Sequence, residues 1–257
     1  MKKFFYTFIL LLAALMVPAT ATADGYERGD ATGDGVVNMD DLTTLINYLV
    51  YGVWPSDGQH EWVDLGLPSG TLWATCNVGA DSPEDYGDYF AWGETAPKEV
   101  YNWSTYKWCY GSYKRLTKYC TDSSYGYNGF VDDKTELDPE DDAAYVNWGT
   151  SWRMPTEEQQ LELAQECTWT WTTQNGVNGR LVTGPNGNTL FLPAAGCRHD
   201  DSLVNAGSCG YYYARRLIFD DQTAPYGVYF DSVHISPGIA SLRMNGLPVR
   251  AVRVLQN

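Results

Sequence analysis

Near the start of the chain, oxygen-bearing side chains recur at short, regular intervals. In Gly29-Asp-Ala-Thr-Gly-Asp-Gly-Val-Val-Asn-Met-Asp-Asp41, number Asp30 as position 1. Thr32, Asp34, Asn38 and Asp41 then fall at positions 3, 5, 9 and 12. Gly35 is at position 6, where the chain must turn sharply, and Val36 at position 7 contributes only its backbone carbonyl. This alternation lets one loop wrap a hard cation that takes about six to eight oxygens, and the ion expected is Ca²⁺. Two positions depart from the strongest form of such a loop. Thr32 is a neutral ligand where Asp or Asn is usual, and Asp41 replaces a longer, bidentate Glu.

The loop needs an element behind it to hold its shape. Leu42, Leu45, Ile46, Leu49 and Val50 have the spacing of one helical face, so a helix is expected there. A loop closing on Asp and running into a Leu-rich helix resembles one repeat of a dockerin, over about Gly29 to Gly52. The resemblance implies an EF-hand-like calcium loop-helix and a cohesin-like or cell-surface protein partner, often in assemblies that degrade polysaccharides. Dockerins carry two such repeats and this chain shows one. So small a unit cannot bury its apolar face alone, and it must pair with another copy, a partner or the domain behind it.

The termini and composition narrow the class. Lys2-Lys3, the apolar run Phe4 to Val17 and Ala21-Thr-Ala23 form the pattern of a secretory signal peptide over residues 1–23. The expected location is secreted, periplasmic or on the cell surface. The apolar run is short for a membrane span, and no second one follows in the mature chain. Without residues 1–23 the chain holds 15 Lys and Arg against 32 Asp and Glu, a net charge of −17. That field repels nucleic acid and anionic membranes. No GxSxG, HExxH, Walker loop or GxGxxG occurs, and the three His form no catalytic pattern, so the reading leans away from an enzyme.

Six cysteines, Cys76, Cys109, Cys120, Cys167, Cys197 and Cys209, all lie after the signal region. An even count in an exported chain permits disulfides. Cys109 with Cys120, and Cys197 with Cys209, are near in sequence, but sequence cannot choose among the pairings or exclude six reduced thiols.

Residues 53–59 read as a linker rich in turn formers, and 60–257 as one domain. Strands are expected at 168–173, at 179–183 and 189–192 around a hairpin turn at 184–188, at 226–230 and at 249–254. Thr156 and Gln159 form a capping box that starts a helix running to about Glu166. Tyr86 to Trp92 fits a short helix or a loop.

Several motifs of this domain carry a resemblance. Trp62-Val-Asp-Leu-Gly-Leu-Pro-Ser-Gly-Thr-Leu-Trp-Ala-Thr-Cys-Asn-Val-Gly-Ala80 opens it. Asp85-Tyr-Gly-Asp-Tyr-Phe-Ala-Trp-Gly-Glu-Thr95, Trp148-Gly-Thr-Ser-Trp-Arg-Met-Pro-Thr-Glu-Glu158 and Leu190-Phe-Leu-Pro-Ala-Ala-Gly196 continue it, and Val249-Arg-Ala-Val-Arg253 closes it. Together they resemble the Fibrobacter succinogenes major paralogous domain, a family of exported bacterial proteins, found in Bacteroidetes among others, with no established activity. Arg153-Met-Pro-Thr-Glu-Glu158 is also similar to a helix start of formylglycine-generating enzymes. That likeness implies an α+β, C-type-lectin-like domain with short strands and long loops. Cys197 and Cys209 do not match those enzymes' copper-binding pair, so the activity is not carried over. The family pattern marks Cys120, Cys197 and Cys209 as departures, which with Cys109 make two added disulfides. It includes Cys76 and Cys167, as a third pair or two buried thiols.

Rings stack on sugar faces, so loop-borne aromatics are candidate glycan contacts: Trp92, Trp103, Trp108, Tyr125, Tyr127, Tyr211, Tyr212 and Tyr213. Trp73, Trp148, Trp152, Trp169 and Trp171 are expected in core or hairpin packing. The acidic run at 132–142 reads as solvated charge, with a second calcium site as the alternative. Arg153 is expected to pair with an acid. The expected function is glycan or surface-protein binding without catalysis. The alternatives are an accessory component of polysaccharide degradation and a scaffold subunit of an oligomer.

Overall fold

A computed structural model describes residues 60–238 and 241–253, which lie within the compact unit His60–Asn257. The signal peptide, the calcium residues Asp30, Thr32, Asp34, Val36, Asn38 and Asp41, their helix and the linker lie outside the described residues.

Short strands in small sheets, with few helices, make up this unit. One sheet runs β1 (Trp62–Asp64), β2 (Leu72–Ala74), β14 (Val252–Arg253), β4 (Trp152–Arg153) in spatial order. The two ends of the domain therefore pair through antiparallel β2 and β14. A second sheet is a meander of β5 (Thr168–Gln174), β6 (Val177–Thr183) and β7 (Thr189–Pro193). A third joins β10 (Gly210–Leu217), β11 (Pro225–Phe230) and β12 (Ile235–Pro237). Two pairs complete the set: β3 (Tyr89–Phe90) with β13 (Leu247–Pro248), and β8 (Cys197–His199) with β9 (Ser202–Val204).

The meander shows how local chemistry sets register. Asn175-Gly176 closes the β5–β6 hairpin with φ of 48° and 86°, the doubly positive backbone of a tight turn. This turn was not among those expected, though the Asn-Gly pair is its usual signature. The turn expected at 184–188 is present: Gly184 N–H donates to Asn188 O at 2.9 Å. With that register Trp169 faces Val182 and Val182 faces Leu190, and all three side chains are buried together.

Two helices flank the sheets. α1 (Ala143–Trp148) is capped by Asp142, whose carboxylate accepts from the N–H groups of Ala144 and Tyr145. α2 (Glu157–Glu166) has the expected capping box, with Thr156 and Gln159 bonded reciprocally. Glu157 and Glu158 sit at its positive end.

Two expectations need correction, and a third is decided between its alternatives. The C-terminal strand expected at 249–254 is only Val252–Arg253 in the described residues. Arg250 beside it is buried, and its guanidinium donates to Ala74 O, Thr75 O and Asn77 Oδ1. Of the two alternatives for Tyr86 to Trp92, the helix is absent and the loop is present, interrupted by the short β3. The acidic run is solvated only in part: Asp133, Glu136 and Glu140 are exposed, and the other four acids are engaged by the fold. Asp132 accepts from the N–H groups of Tyr119 and Cys120, Asp138 pairs with Lys118 and Lys134, and Asp141 and Asp142 are buried. Carboxylates here replace missing backbone partners in loop regions.

Trp73, Trp148, Trp152 and Trp169 are core residues, and Trp171 packs against the second core cluster. His60 stacks on Trp148 at 3.8 Å. Arg153 lies 3.9 Å over the Tyr145 ring, donates to Thr150 O and Trp152 O, and acts electrostatically on Asp142.

Candidate functional site

The site is built on the loop layer from Tyr101 to Phe130. Leu116 is fully buried, while its neighbour Arg115 is exposed. Leu116 bridges Cys109 on one side and Gly126 on the other. Tyr110, Tyr125 and Tyr127 therefore share the outward face with Arg115. The backbone bonds hold that register: Tyr110 N–H donates to Arg115 O at 2.9 Å, and Leu116 N–H to Tyr125 O at 2.8 Å. Tyr127 N–H donates to Leu116 O at 2.8 Å. Gly126 is needed because a Cβ there would lie 1.8 Å from Phe130 O.

The rings form two groups. Tyr110 and Tyr127 have centroids 4.3 Å apart, with the Arg115 guanidinium 5.0 Å from the Tyr127 ring. Tyr113 lies 6.1 Å from Trp103 and 6.2 Å from Tyr125. Tyr110 is 57% exposed and Tyr113 42%, while Trp103, Tyr125 and Tyr127 are half-buried. Exposed aromatic patches of this kind mark binding surfaces.

The layer is anchored from below. Arg243 is fully buried and donates from Nε to Tyr106 Oη at 2.8 Å. Its Nη1 donates to the carbonyls of Tyr119 and Gln222, and Nη2 to that of Lys118. Lys118 also bonds the buried Asp141 at 2.6 Å, and Tyr119 Oη donates to the same carboxylate at 2.7 Å.

Of the eight aromatics expected on loops, the fold brings Trp103, Tyr125 and Tyr127 together here. Trp92 is buried and donates to Ala214 O. Trp108 is half-buried and donates to Gly93 O at 2.7 Å, with Lys107 over its ring. Tyr211, Tyr212 and Tyr213 lie on β10 rather than a loop. Tyr212 and Tyr213 are buried, and burial pushes the Tyr212 hydroxyl up to about 12. Their hydroxyls donate to Pro193 O and Leu242 O, so they serve packing. Tyr211 is half-buried against Tyr229. Sequence reading missed Tyr110, Tyr113 and Arg115. The density of rings around the turn-forming Gly111-Ser112 could have shown the first two.

All six cysteines are free thiols, so none of the expected pairings is formed. The Cys109 and Cys120 thiols bond different carbonyls, those of Trp103 and Asp122. Cys197 and Cys209 flank the Gly196–Gly210 bridge and interact electrostatically. Cys76 lies beside Thr75 and Arg250, while Cys167 lies among Glu162 and Glu166, whose charges add to burial in pushing its thiol up to about 11.

A second concavity, of about 480 Å³, is lined by charged residues including Asp88, Lys98, Glu99, Arg198 and Asp201. Its two tyrosines offer no open ring, because Tyr89 and Tyr101 are buried. Among the described residues no group of three or more His, Cys, Asp or Glu is placed to hold a metal ion, and no helix is long and apolar enough to cross a membrane.

No family model, curated protein or solved structure matches the chain.

Proposed function

We propose that this protein is an exported, non-catalytic binding or adhesion protein whose aromatic face, Trp103, Tyr110, Tyr113, Tyr125 and Tyr127, holds a glycan. The observation that carries this reading is the outward register of the loop layer, which exposes ring faces on a rigidly bonded backbone. A preorganised face loses little freedom on binding. Short strands and long loops support the C-type-lectin-like architecture and the major paralogous domain likeness, which belong to the same proposal.

The test is a glycan array with the Tyr110→Ala/Tyr127→Ala double variant as control. Wild type is expected to bind, and the double variant to bind at least tenfold more weakly, about 1.4 kcal/mol. Its thermal midpoint should stay near wild type, since neither ring is core. A wild type that binds no glycan, or a double variant that binds as well, would overturn the reading.

The N-terminal calcium repeat belongs to this proposal as the element for protein–protein assembly. Calorimetry with Ca²⁺ is expected to give binding heat that Asp30→Ala and Asp34→Ala each remove, because each deletes a charged ligand. Equal heats in all three proteins would reject the site.

A further inference from the structure

We infer that the aromatic face selects anionic glycans, those carrying carboxylate or sulfate groups, over neutral ones; this rests on the glycan-binding reading above. The argument comes from charge placement. The whole chain carries 32 acidic against 17 basic residues. Yet residues 101–121 contain Lys107, Lys114, Arg115 and Lys118 and no Asp or Glu. A basic tract inside so acidic a chain is a local reversal of sign.

The fold then divides those four cations. Lys107 and Lys118 turn toward the buried Asp141, and Lys118 also pairs with Asp138. Both are thus paired with carboxylates, Lys118 closely and Lys107 while half exposed. Lys114 and Arg115 are exposed and have no ion-pair partner among the described residues. Both stand at the rings themselves. The Lys114 ammonium is 5.8 Å from the Tyr113 ring centroid, and the Arg115 guanidinium is 5.8 Å from that of Tyr110 and 5.0 Å from that of Tyr127. Each ring group thus has one cation at its side.

This pairing matches the two chemistries of an acidic sugar. A pyranose ring presents an apolar face for an aromatic side chain. Its carboxylate or sulfate projects from the ring edge, where a guanidinium can donate two parallel hydrogen bonds. The chain as a whole is acidic, so a polyanion is favoured where cations stand unpaired, as Lys114 and Arg115 do here. A neutral glycan gains the stacking alone.

The test compares three polymers in affinity electrophoresis or calorimetry: polygalacturonate for carboxylates, dextran sulfate for sulfates and unsubstituted dextran as the neutral probe. At least one anionic polymer is expected to bind on the order of tenfold or more tighter than dextran, and the carboxylate and sulfate arms show which group is preferred. Lys114→Gln/Arg115→Gln should lose about tenfold for the anionic polymer and under about threefold for any neutral glycan bound. Raising salt should weaken only the anionic complex. Neutral glycans bound as tightly as anionic ones, or no effect of the double Gln variant, would overturn the charge selection and leave the glycan reading standing. Anionic binding that persists unchanged in Tyr110→Ala/Tyr127→Ala would mean general adsorption to positive charge and would overturn both. No binding to any glycan would overturn the reading on which this inference rests. Circular dichroism identifies any variant that fails to fold; for such a variant the single substitutions Lys114→Gln and Arg115→Gln replace it.

Discussion

Arg243→Ala is expected to destabilise the domain by about 3–5 kcal/mol, measured by chemical denaturation. Arg243 is 0% exposed and makes four hydrogen bonds, to Tyr106 Oη and to the carbonyls of Lys118, Tyr119 and Gln222. No carboxylate forms an ion pair with it among the described residues. Its charge is held instead by these oxygens and by the faces of Trp92 and Tyr106, with the guanidinium 5.1 and 5.2 Å from their centroids. Removing the side chain leaves a cavity and strips buried carbonyls of their donor. Lysine does not rescue it. A single ammonium on a flexible stem cannot reach acceptors spread around a planar fork, so Arg243→Lys should lose more than half as much stability. Three of the four bonded groups belong to the segment that carries the aromatic face. Glycan binding should therefore weaken in Arg243→Lys even where the protein remains folded. A loss below about 1 kcal/mol for Arg243→Ala would show that the loop layer is held by other contacts.

Asp142→Ala is expected to cost about 3 kcal/mol, because one carboxylate serves two elements. Oδ1 caps α1 through Ala144 N–H at 2.9 Å and Tyr145 N–H at 3.2 Å. Both oxygens accept from Met154 N–H, at 3.1 and 2.9 Å, which ties the residue after β4 to the start of α1. Asp142 is 1% exposed, so no water replaces the lost acceptor. Loss of the helix cap accounts for about 1 kcal/mol, and the buried Met154 N–H left unpaired, with the cavity, for the rest. Asp142→Asn keeps one oxygen of the same shape and should lose clearly less than Asp142→Ala. Equal losses in the two variants would mean that volume, and not the acceptor, is what matters at this position.

Both residues show where sequence reading stopped. Asp142 belongs to an acidic run that looked like solvated surface. Charge density in a sequence carries no information on which carboxylates will meet unpaired backbone N–H groups. Arg243 sits in Ser-Leu-Arg-Met-Asn with no periodic pattern around it. Its partners come from residues more than a hundred positions away as well as from nearby Gln222, and no local rule joins them. The same limit applies to Arg250, whose buried guanidinium is held by Ala74, Thr75 and Asn77 from the far end of the domain.

What the sequence determined by itself was local. The capping box of α2, the meander hairpin at 184–188 and the core placement of Trp73, Trp148, Trp152 and Trp169 depend on residues a few positions apart, or on burial of large apolar rings. Both are properties of short segments. The tertiary structure alone decided which loop aromatics face outward. Tyr110, Tyr125 and Tyr127 share a face only because Leu116 is drawn into the core and bridges Cys109 on one side and Gly126 on the other. Tyr212 and Tyr213, as aromatic in sequence as the others, lie on β10 with their side chains in the core. A ring's free energy depends on what covers it, and covering is a property of the whole chain.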